Sequence, residues 1–445
     1  MIASPSSKIH WPQWPVVDHT TIRAVQDVLT SGRWAISGHH LGRESCEETF
    51  ARRYAAYNNV AHCVTLDHGT SALIAGLEAL DVGFGDEVIV PGFTWVAPAI
   101  AVLSVNAVPV IVDVEADTFC LDPVKVAAAI TPRTKAIIPI HLYGCMADMD
   151  QILALASSHR IAVLEDAAHS HGSEWRGRKA GTLGDIGAFS FQQGKVLTCG
   201  EGGAAITNHP TYAKRIENSA WNARRRLDWR TTPVGAMQLV EGEKRFGTNR
   251  CLSEIQAGLL VDQLDRLDAQ NRQREAAARW LDEQLIEMPG VLIMRRRPEV
   301  TRQTYYGYVI RIDPQVFGST AAEVIAGLQA ALDMTECLVH APYKPLHRNP
   351  LYAHHPARHA LPGGYLQIID SSSLCLPGCD RAYEQGIVFH HSVLLADQSL
   401  LARVVATIEA IRKKTVQGRT CPRERIQPEN QVRAHGQVSE AANCL

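Results

Sequence analysis

The chain has 445 residues, 46% hydrophobic and 20% charged, an ordinary globular composition too long for a single core. Lys plus Arg total 44 against 46 Asp plus Glu, a balance that excludes the basic footprint of a nucleic-acid or anionic-membrane binder. No apolar run approaches the ~20 residues needed to span a bilayer. The opening "MIASPSSKIHWPQWP" lacks the basic-then-apolar pattern of a signal peptide, so a cytoplasmic protein is expected. The 11 cysteines are scattered, with no CxxC pair and no histidine cluster at zinc spacing. Reduced thiols and no metal site are expected.

Strand and helix signals alternate from about residue 60. "SALIAGLEAL" (71–80) carries a helix pattern, and "DEVIVPGF" (86–93) reads as a buried strand stopped by Pro and Gly. The helix "VAPAIAVLSVNA", the strand "VPVIVDV" (108–114) and the short helix "DPVKVAAAI" follow. "TKAIIPIHLYG" (134–144) reads as the next strand, then come a helix over 149–158 and the strand opening "IAVLEDAAHSHG" (161–172). "IGAFSF" and "GGAAITN" complete the set. Apolar β-branched strands separated by helices predict an α/β fold, a mostly parallel sheet covered on both faces.

"SEIQAGLLVDQLDRLDAQNRQREAAARWLDEQL" (253–285) predicts one long helix. Beyond it, "YYGYVIRID" and "AAEVIAGLQAAL" predict a smaller α+β domain. The expected division is a large domain over 1–265, a small C-terminal domain over 266–413, and a disordered tail over 414–445, where apolar residues are few. No internal repeat is present.

In such sheets sites form at the carboxyl ends of strands. That rule points to Thr94 and Trp95, residues 141–144, residues 166–169, and Lys195. Lys195, in "GAFSFQQGKVLTCGEGG", is the one lysine of its stretch, among small and apolar neighbours. Such a lysine is suited to form a Schiff base with a carbonyl, although a solvated strand-end lysine is the commoner case. Asp166 shifts the balance. It follows a buried apolar strand, where an unpaired carboxylate is costly. A helix N-cap would explain it, but an Asp facing a pyridinium nitrogen beside a lysine Schiff base is the pairing of pyridoxal phosphate sites.

Gly69, Thr70 and Ser71 precede a helix whose N-terminus offers a phosphate seat, and Ser190 could add a hydroxyl. Trp95 lies past a strand end, where its face could stack on a pyridine ring or simply fill a core. His169 could meet the phenolic oxygen of the same ring or be an ordinary loop histidine. The order Gly-Thr-Ser, Trp, Asp, His, Ser, Lys raises each weak signal.

"GTSAL", "DEVIVPGFTWVA", "PVIVDVEADTFCLDP", "TKAIIPIHLYGCMADMD", "EDAAHSHGS", "GDIGAFSFQQGKVLTCGEGGAAIT" and "NRCLSEIQAGLLVDQL" together resemble the sugar aminotransferases of the DegT/DnrJ/EryC1/StrS family, over residues 10–413. The resemblance implies a fold type I pyridoxal 5'-phosphate enzyme, a homodimer with its active site at the subunit interface. Many nucleotide-sugar members carry "SFHxxK"; "SFQQGKVLT", with "SGRWAISG" and "RQTYYGYVIRIDP", looks like the branch that aminates keto-cyclitols in aminoglycoside biosynthesis. That branch implies L-glutamine as donor and 2-deoxy-scyllo-inosose as acceptor, with a later amino-keto-cyclitol as a second acceptor. Scyllo-inosose or a 4-keto nucleotide sugar are the alternatives.

Carried over by position, Lys195 would hold the cofactor, Asp166 would pair with the pyridine nitrogen and His169 with the ring oxygen. Trp95 would stack on the ring, Thr70, Ser71 and Ser190 would hold the phosphate, and Asn249 would reach the neighbouring subunit's phosphate. His169 stands where many relatives carry glutamine. For the uncharged polyol, His141, Tyr143, Tyr305, His340, Tyr343 and His391 are candidate contacts, each equally open to a structural role.

Three rivals are weaker. The pyridoxal phosphate-dependent sugar dehydratases similar to this family replace the lysine with histidine, and Lys195 argues against them. A regulatory relative would carry a DNA-binding domain or lack the lysine. A nicotinamide-binding Rossmann domain would show GxGxxG after its first strand, and none follows.

Overall fold

The computed structural model describes residues 8–242, 246–352 and 374–420, the last six of these by backbone alone. Seven strands form the central sheet: β1 (His62–Leu66), β2 (Glu87–Pro91), β3 (Val108–Val112), β4 (Thr134–Ile137), β5 (Ala162–Asp166), β6 (Ile186–Ser190) and β7 (Gly203–Thr207). Their spatial order is β1-β7-β6-β5-β4-β2-β3. The β3-β2, β2-β4, β4-β5 and β5-β6 pairs are parallel. Only β7 runs against its neighbours, pairing antiparallel with β6 and β1. The sheet is therefore mostly parallel, as its apolar strands predict.

Side-chain alternation along these strands builds two cores. Val88 and Val90 of β2 and Leu164 of β5 lie in one apolar cluster, while Ile89 and Val163 lie in the other. Both faces are buried, so neither could be polar.

The predicted strand over 134–144 is shorter. It stops at Ile137, Pro139 interrupts it, and the chain turns through a 3-10 segment at Leu142–Gly144 with Tyr143 at φ 55°. Proline cannot donate to the ladder, and that accounts for the early stop. Two helices precede the region where the sequence signals begin: His19–Ser31, capped by Asp18, and Cys46–Asn58, capped by a reciprocal Ser45–Glu48 box.

The helix Glu254–Leu285 starts at another reciprocal box: Ser253 Oγ accepts from Gln256 N–H at 3.2 Å, and Gln256 Oε1 accepts from Ser253 N–H at 3.1 Å. Its first turns, through Leu260 and Leu267, pack on the large sheet's core. Its last turns, Ala278, Leu281 and Leu285, enter a third core. The division expected at 265 falls inside this continuous helix.

The third core belongs to an antiparallel sheet of β8 (Val291–Ile293), β9 (Gly307–Ile312), β10 (Val339–His340) and β11 (Gly386–His390), in the order β8-β9-β11-β10. Ile310, Ile387 and Phe389 meet Val324 and Leu328 of the helix Ala321–Leu332. At the tail, the helix Gln398–Thr420 runs six residues past the expected start of disorder at 414; residues 421–445 lie outside the described residues. The described cysteines form no disulfide, and no described helix is long and apolar enough to cross a membrane.

Candidate active site

Because β1, β2, β4, β5 and β6 point the same way, their carboxyl ends share one edge of the sheet. The turns leaving that edge carry almost every chemical candidate. At the end of β5, Asp166 is buried, at 8% exposure. Its backbone N–H donates to the Pro139 carbonyl and its own carbonyl accepts from His141 N–H, so the residue is clamped to the β4 side. Its Oδ1 accepts from Ala168 N–H at 3.0 Å; no described residue donates to Oδ2. Burial raises the Asp166 carboxyl from its ordinary value, opposed by the Ala168 hydrogen bond and the charge of Lys195.

Lys195 lies on the loop between β6 and β7, half-buried. Two backbone bonds brace that loop like a hairpin: Phe191 N–H to Gly202 O at 2.8 Å and Gln193 N–H to Gly200 O at 2.7 Å. Lys195 Nζ sits 4.3 Å from the centroid of the Tyr306 ring. Its charge bears on Asp166, His169 and His171, and the Tyr306 ring that it faces stacks on His169.

His169 is buried and shares that space. Tyr143 N–H donates to its Nδ1 at 3.2 Å, which the left-handed turn at Tyr143 makes possible. Tyr306 lies parallel to its ring at 3.8 Å. Burial, followed by the Lys195 charge, holds the His169 imidazole neutral, well below its ordinary titration range.

The helix Gly69–Ala79 begins at His68, whose side chain makes no capping bond, so its first N–H groups carry no side-chain acceptor. Thr70 and Ser71 lie in that first turn. Ser190 is adjacent: a Cβ added at Gly69 would stand 2.6 Å from Ser190 Cβ. Trp95, half-buried past the end of β2, has its ring 5.6 Å from Tyr343.

Asn249 is exposed, its Oδ1 accepting from Cys251 N–H at 3.4 Å, and among the described residues no hydrogen bond joins it to the other candidates.

The candidate substrate contacts divide. Tyr143 and Tyr343 join the aromatic wall, 5.6 Å apart, with Tyr343 N–H donating to Tyr143 Oη. His391 is fully buried at its edge, donating from Nε2 to the Gly194 carbonyl at 3.1 Å and meeting Trp14 edge-on at 4.5 Å. His340 lies on β10 and donates to the Ala341 carbonyl.

Two of these residues require correction. His141 is fully buried with both ring nitrogens engaged, Nδ1 by Ala147 N–H and Nε2 by Glu165, so it has no atom left for a substrate. Tyr305 packs in the small sheet's core, and its neighbour Tyr306 faces Lys195 instead. Tyr306 was not among the sequence candidates. Tyr308, Ile310 and Ile312 share the small core with Tyr305, so the two-residue alternation of β9 does not extend back to position 305, and no sequence signal marks Tyr306.

The matched family model is the DegT/DnrJ/EryC1/StrS aminotransferase family, over residues 15–400. An L-glutamine:2-deoxy-scyllo-inosose aminotransferase of Streptoalloteichus tenebrarius is 45% identical, covering 90% of this chain and 94% of that one. An L-glutamine:scyllo-inosose aminotransferase of Streptomyces griseus is 43% identical, covering 88% and 91%. Among solved structures, 3-amino-5-hydroxybenzoic acid synthase superposes with a TM-score of 0.77 at 31% identity, over 93% of this chain and 100% of that one.

Proposed function

Since the chain belongs to the DegT/DnrJ/EryC1/StrS aminotransferase family, we propose that it uses pyridoxal 5'-phosphate to move the amino group of L-glutamine to a keto-cyclitol, 2-deoxy-scyllo-inosose. The observation that carries this reading is the proximity of two groups at the sheet's carboxyl edge: Asp166, a buried carboxylate with no described donor to Oδ2, and Lys195, whose charge reaches it and whose amine has neither acid nor carbonyl partner among the described residues. The cofactor fits that arrangement. Asp166 Oδ2 would meet its ring nitrogen, the uncapped helix start at Gly69 would hold its phosphate, and Lys195 would bind its aldehyde carbon.

When bound, the cofactor supplies the electron sink that makes the donor's Cα–H acidic. The rest is the work of the chain. Lys195 Nζ would hold the cofactor and, when free, would be the base that takes and returns the proton at the donor's Cα. Asp166 keeps the ring nitrogen protonated. His169, accepting at Nδ1, has its proton on Nε2 and donates to the ring oxygen. Thr70, Ser71 and Ser190 hold the phosphate, and Trp95 covers the ring. Tyr143, Tyr306 and Tyr343 offer aromatic faces and hydroxyls to a polyol acceptor.

The assembly in this reading is a cytoplasmic homodimer in which Asn249 serves the partner's phosphate. Exposed Ile22, Leu29, Trp34, Leu41, Val234 and Met237 supply apolar surface for a second copy. A second amination, of a later amino-keto-cyclitol, is part of the same proposal. The Streptomyces griseus relative favours scyllo-inosose as the second reading for the acceptor.

The test is to convert the loaded enzyme to its pyridoxamine form with L-glutamine and then add 2-deoxy-scyllo-inosose, scyllo-inosose or a 4-keto nucleotide sugar. Rapid return of the original absorbance with the first ketone supports the proposal. Return only with scyllo-inosose selects the second reading. No reaction with L-glutamine removes the donor.

A further inference from the structure

Among the described residues no hydrogen bond or ion pair reaches Lys195 Nζ; what faces it is the Tyr306 ring, 4.3 Å to the centroid. That ring is held from two sides. It lies parallel to the neutral His169 imidazole at 3.8 Å, and its hydroxyl stands 3.4 Å from Tyr343 Oη. The residue immediately precedes β9, whose Gly307 pairs with His390 in β11, so its backbone is anchored to the small sheet. Asp166, His169, His171 and His391 also feel the Lys195 charge. Burial keeps the three imidazoles uncharged, so none competes with the lysine as a cation.

The face of an aromatic ring attracts an ammonium strongly and a neutral amine little. A lysine that carries a proton between two carbons alternates between those forms. Resting on the reading of Lys195 as the proton carrier, we propose that Tyr306 is a positioning residue for that lysine. Its face receives the ammonium formed when Nζ takes the donor's proton. In that step the Cα–H bond breaks, its electron pair passes into the conjugated system, and an N–H bond forms on Nζ. When the proton is handed to the cofactor carbon, Nζ is neutral again and the contact weakens. An interaction stronger after proton pickup than before lowers the barrier to it.

The first test reads the lysine without any cofactor. Lys195 is followed by NMR in cofactor-free protein carrying 13C-methylated lysines, with Lys195→Arg assigning its signal. Tyr306→Phe keeps a ring face, and its Lys195 pKa stays within roughly 0.3 of wild type; Tyr306→Met lacks the face, and the pKa falls by roughly 0.4 to 1.5. In the loaded enzyme, α-deuterated L-glutamine should then slow the first half-reaction by a larger factor in Tyr306→Met than in Tyr306→Phe. The proposal is overturned if Tyr306→Met leaves the pKa unmoved, or if Tyr306→Phe lowers it as much.

Should Tyr306→Met not fold, phenylalanines of increasing fluorination at position 306 weaken the ring face at nearly constant shape. A stepwise fall in the pKa supports the proposal, and a flat series overturns it. Failure of the wild type to react with L-glutamine would count against the donor assignment alone, because the cofactor-free measurement is independent of it.

Discussion

The backbone N–H of Tyr143 donates to Nδ1 of His169 at 3.2 Å, and that bond settles which nitrogen of the imidazole carries the proton. With Nδ1 accepting and the ring neutral, Nε2 is the donor, available to an oxygen on the opposite side. Glutamine could donate from the same place through its amide. His169→Gln should therefore retain cofactor binding and a substantial share of the rate, whereas His169→Leu should lose about 10- to 100-fold in kcat. Equal losses in steady-state kinetics would contradict the donor role.

Lys195→Ala should fold normally, since the side chain is half-buried and braces nothing around it. Its glutamine half-reaction should fall by at least about 100-fold, the usual contribution of a positioned acid–base group. Stopped-flow absorbance beside a melting curve separates the two effects. A variant near the wild-type rate would remove Lys195 from the chemistry.

Gly69→Ala addresses the phosphate seat. The added methyl would lie 2.6 Å from Ser190 Cβ, closer than carbon atoms allow, so the helix start and the end of β6 must part. Overpacking of this kind costs about 1–3 kcal/mol. The cofactor should dissociate more readily, by at least about tenfold at 1.4 kcal/mol per decade, as read by fluorescence titration. An unchanged cofactor affinity would place the phosphate elsewhere.

Glu165 is wholly buried and accepts from His141 Nε2 and from the backbone N–H groups of Gly181, Leu183 and Gly184. Glu165→Ala leaves those donors buried and unpaired, a loss of about 3–5 kcal/mol on the scale of a broken buried ion pair. His141→Ala should lower the melting temperature as well, while the KM for the acceptor in whatever protein remains folded stays near the wild-type value. A selective rise in that KM would restore His141 as a substrate contact.

Buried histidines set the acid limit of the fold. His171 is pushed down to about 3 and His390 to about 4, and His169 and His391 also titrate well below their ordinary value. In the unfolded chain all four take up protons near pH 6.5. Between that value and their folded values the unfolded state binds more protons, so stability falls as pH falls. Each such histidine contributes about 1.4 kcal/mol per pH unit in that window. Denaturant midpoints measured from pH 7.5 to 5 should decline steeply below pH 6.5. A flat profile would show these imidazoles to be hydrated.

The central sheet was legible because burial on both faces leaves a plain mark, continuous apolar runs such as "VIVP" and "IAVL" with helices between. The burial of Asp166 was legible because a carboxylate straight after an apolar strand is costly unless it has a partner, whereas Lys195 stood out only as the one lysine of its stretch and is half-buried. The fate of His141 was not visible, because its partner Glu165 is adjacent to Asp166 in sequence and pairing across β4 and β5 is a tertiary fact. Tyr305 and Tyr306 look alike in sequence, and the alternation of β9, which begins only at Gly307, does not carry back to them. The helices His19–Ser31 and Cys46–Asn58 are marked in sequence only by Asp18 and the Ser45–Glu48 box, because few of their residues are buried and cap residues by themselves are common.

The reversed direction of β7 has a consequence for how this chain could change over evolutionary time. Because β7 runs against β6, the segment between them is a return rather than a crossover, fastened at both rims of the loop. Its length is therefore under stricter control than its composition. One inserted residue between Phe191 and Gly202 would turn the lysine away from its neighbours, while additions after Thr207, beyond the far end of β7, would leave it undisturbed. Lineages descended from this chain should show substitutions inside that loop and almost no gaps.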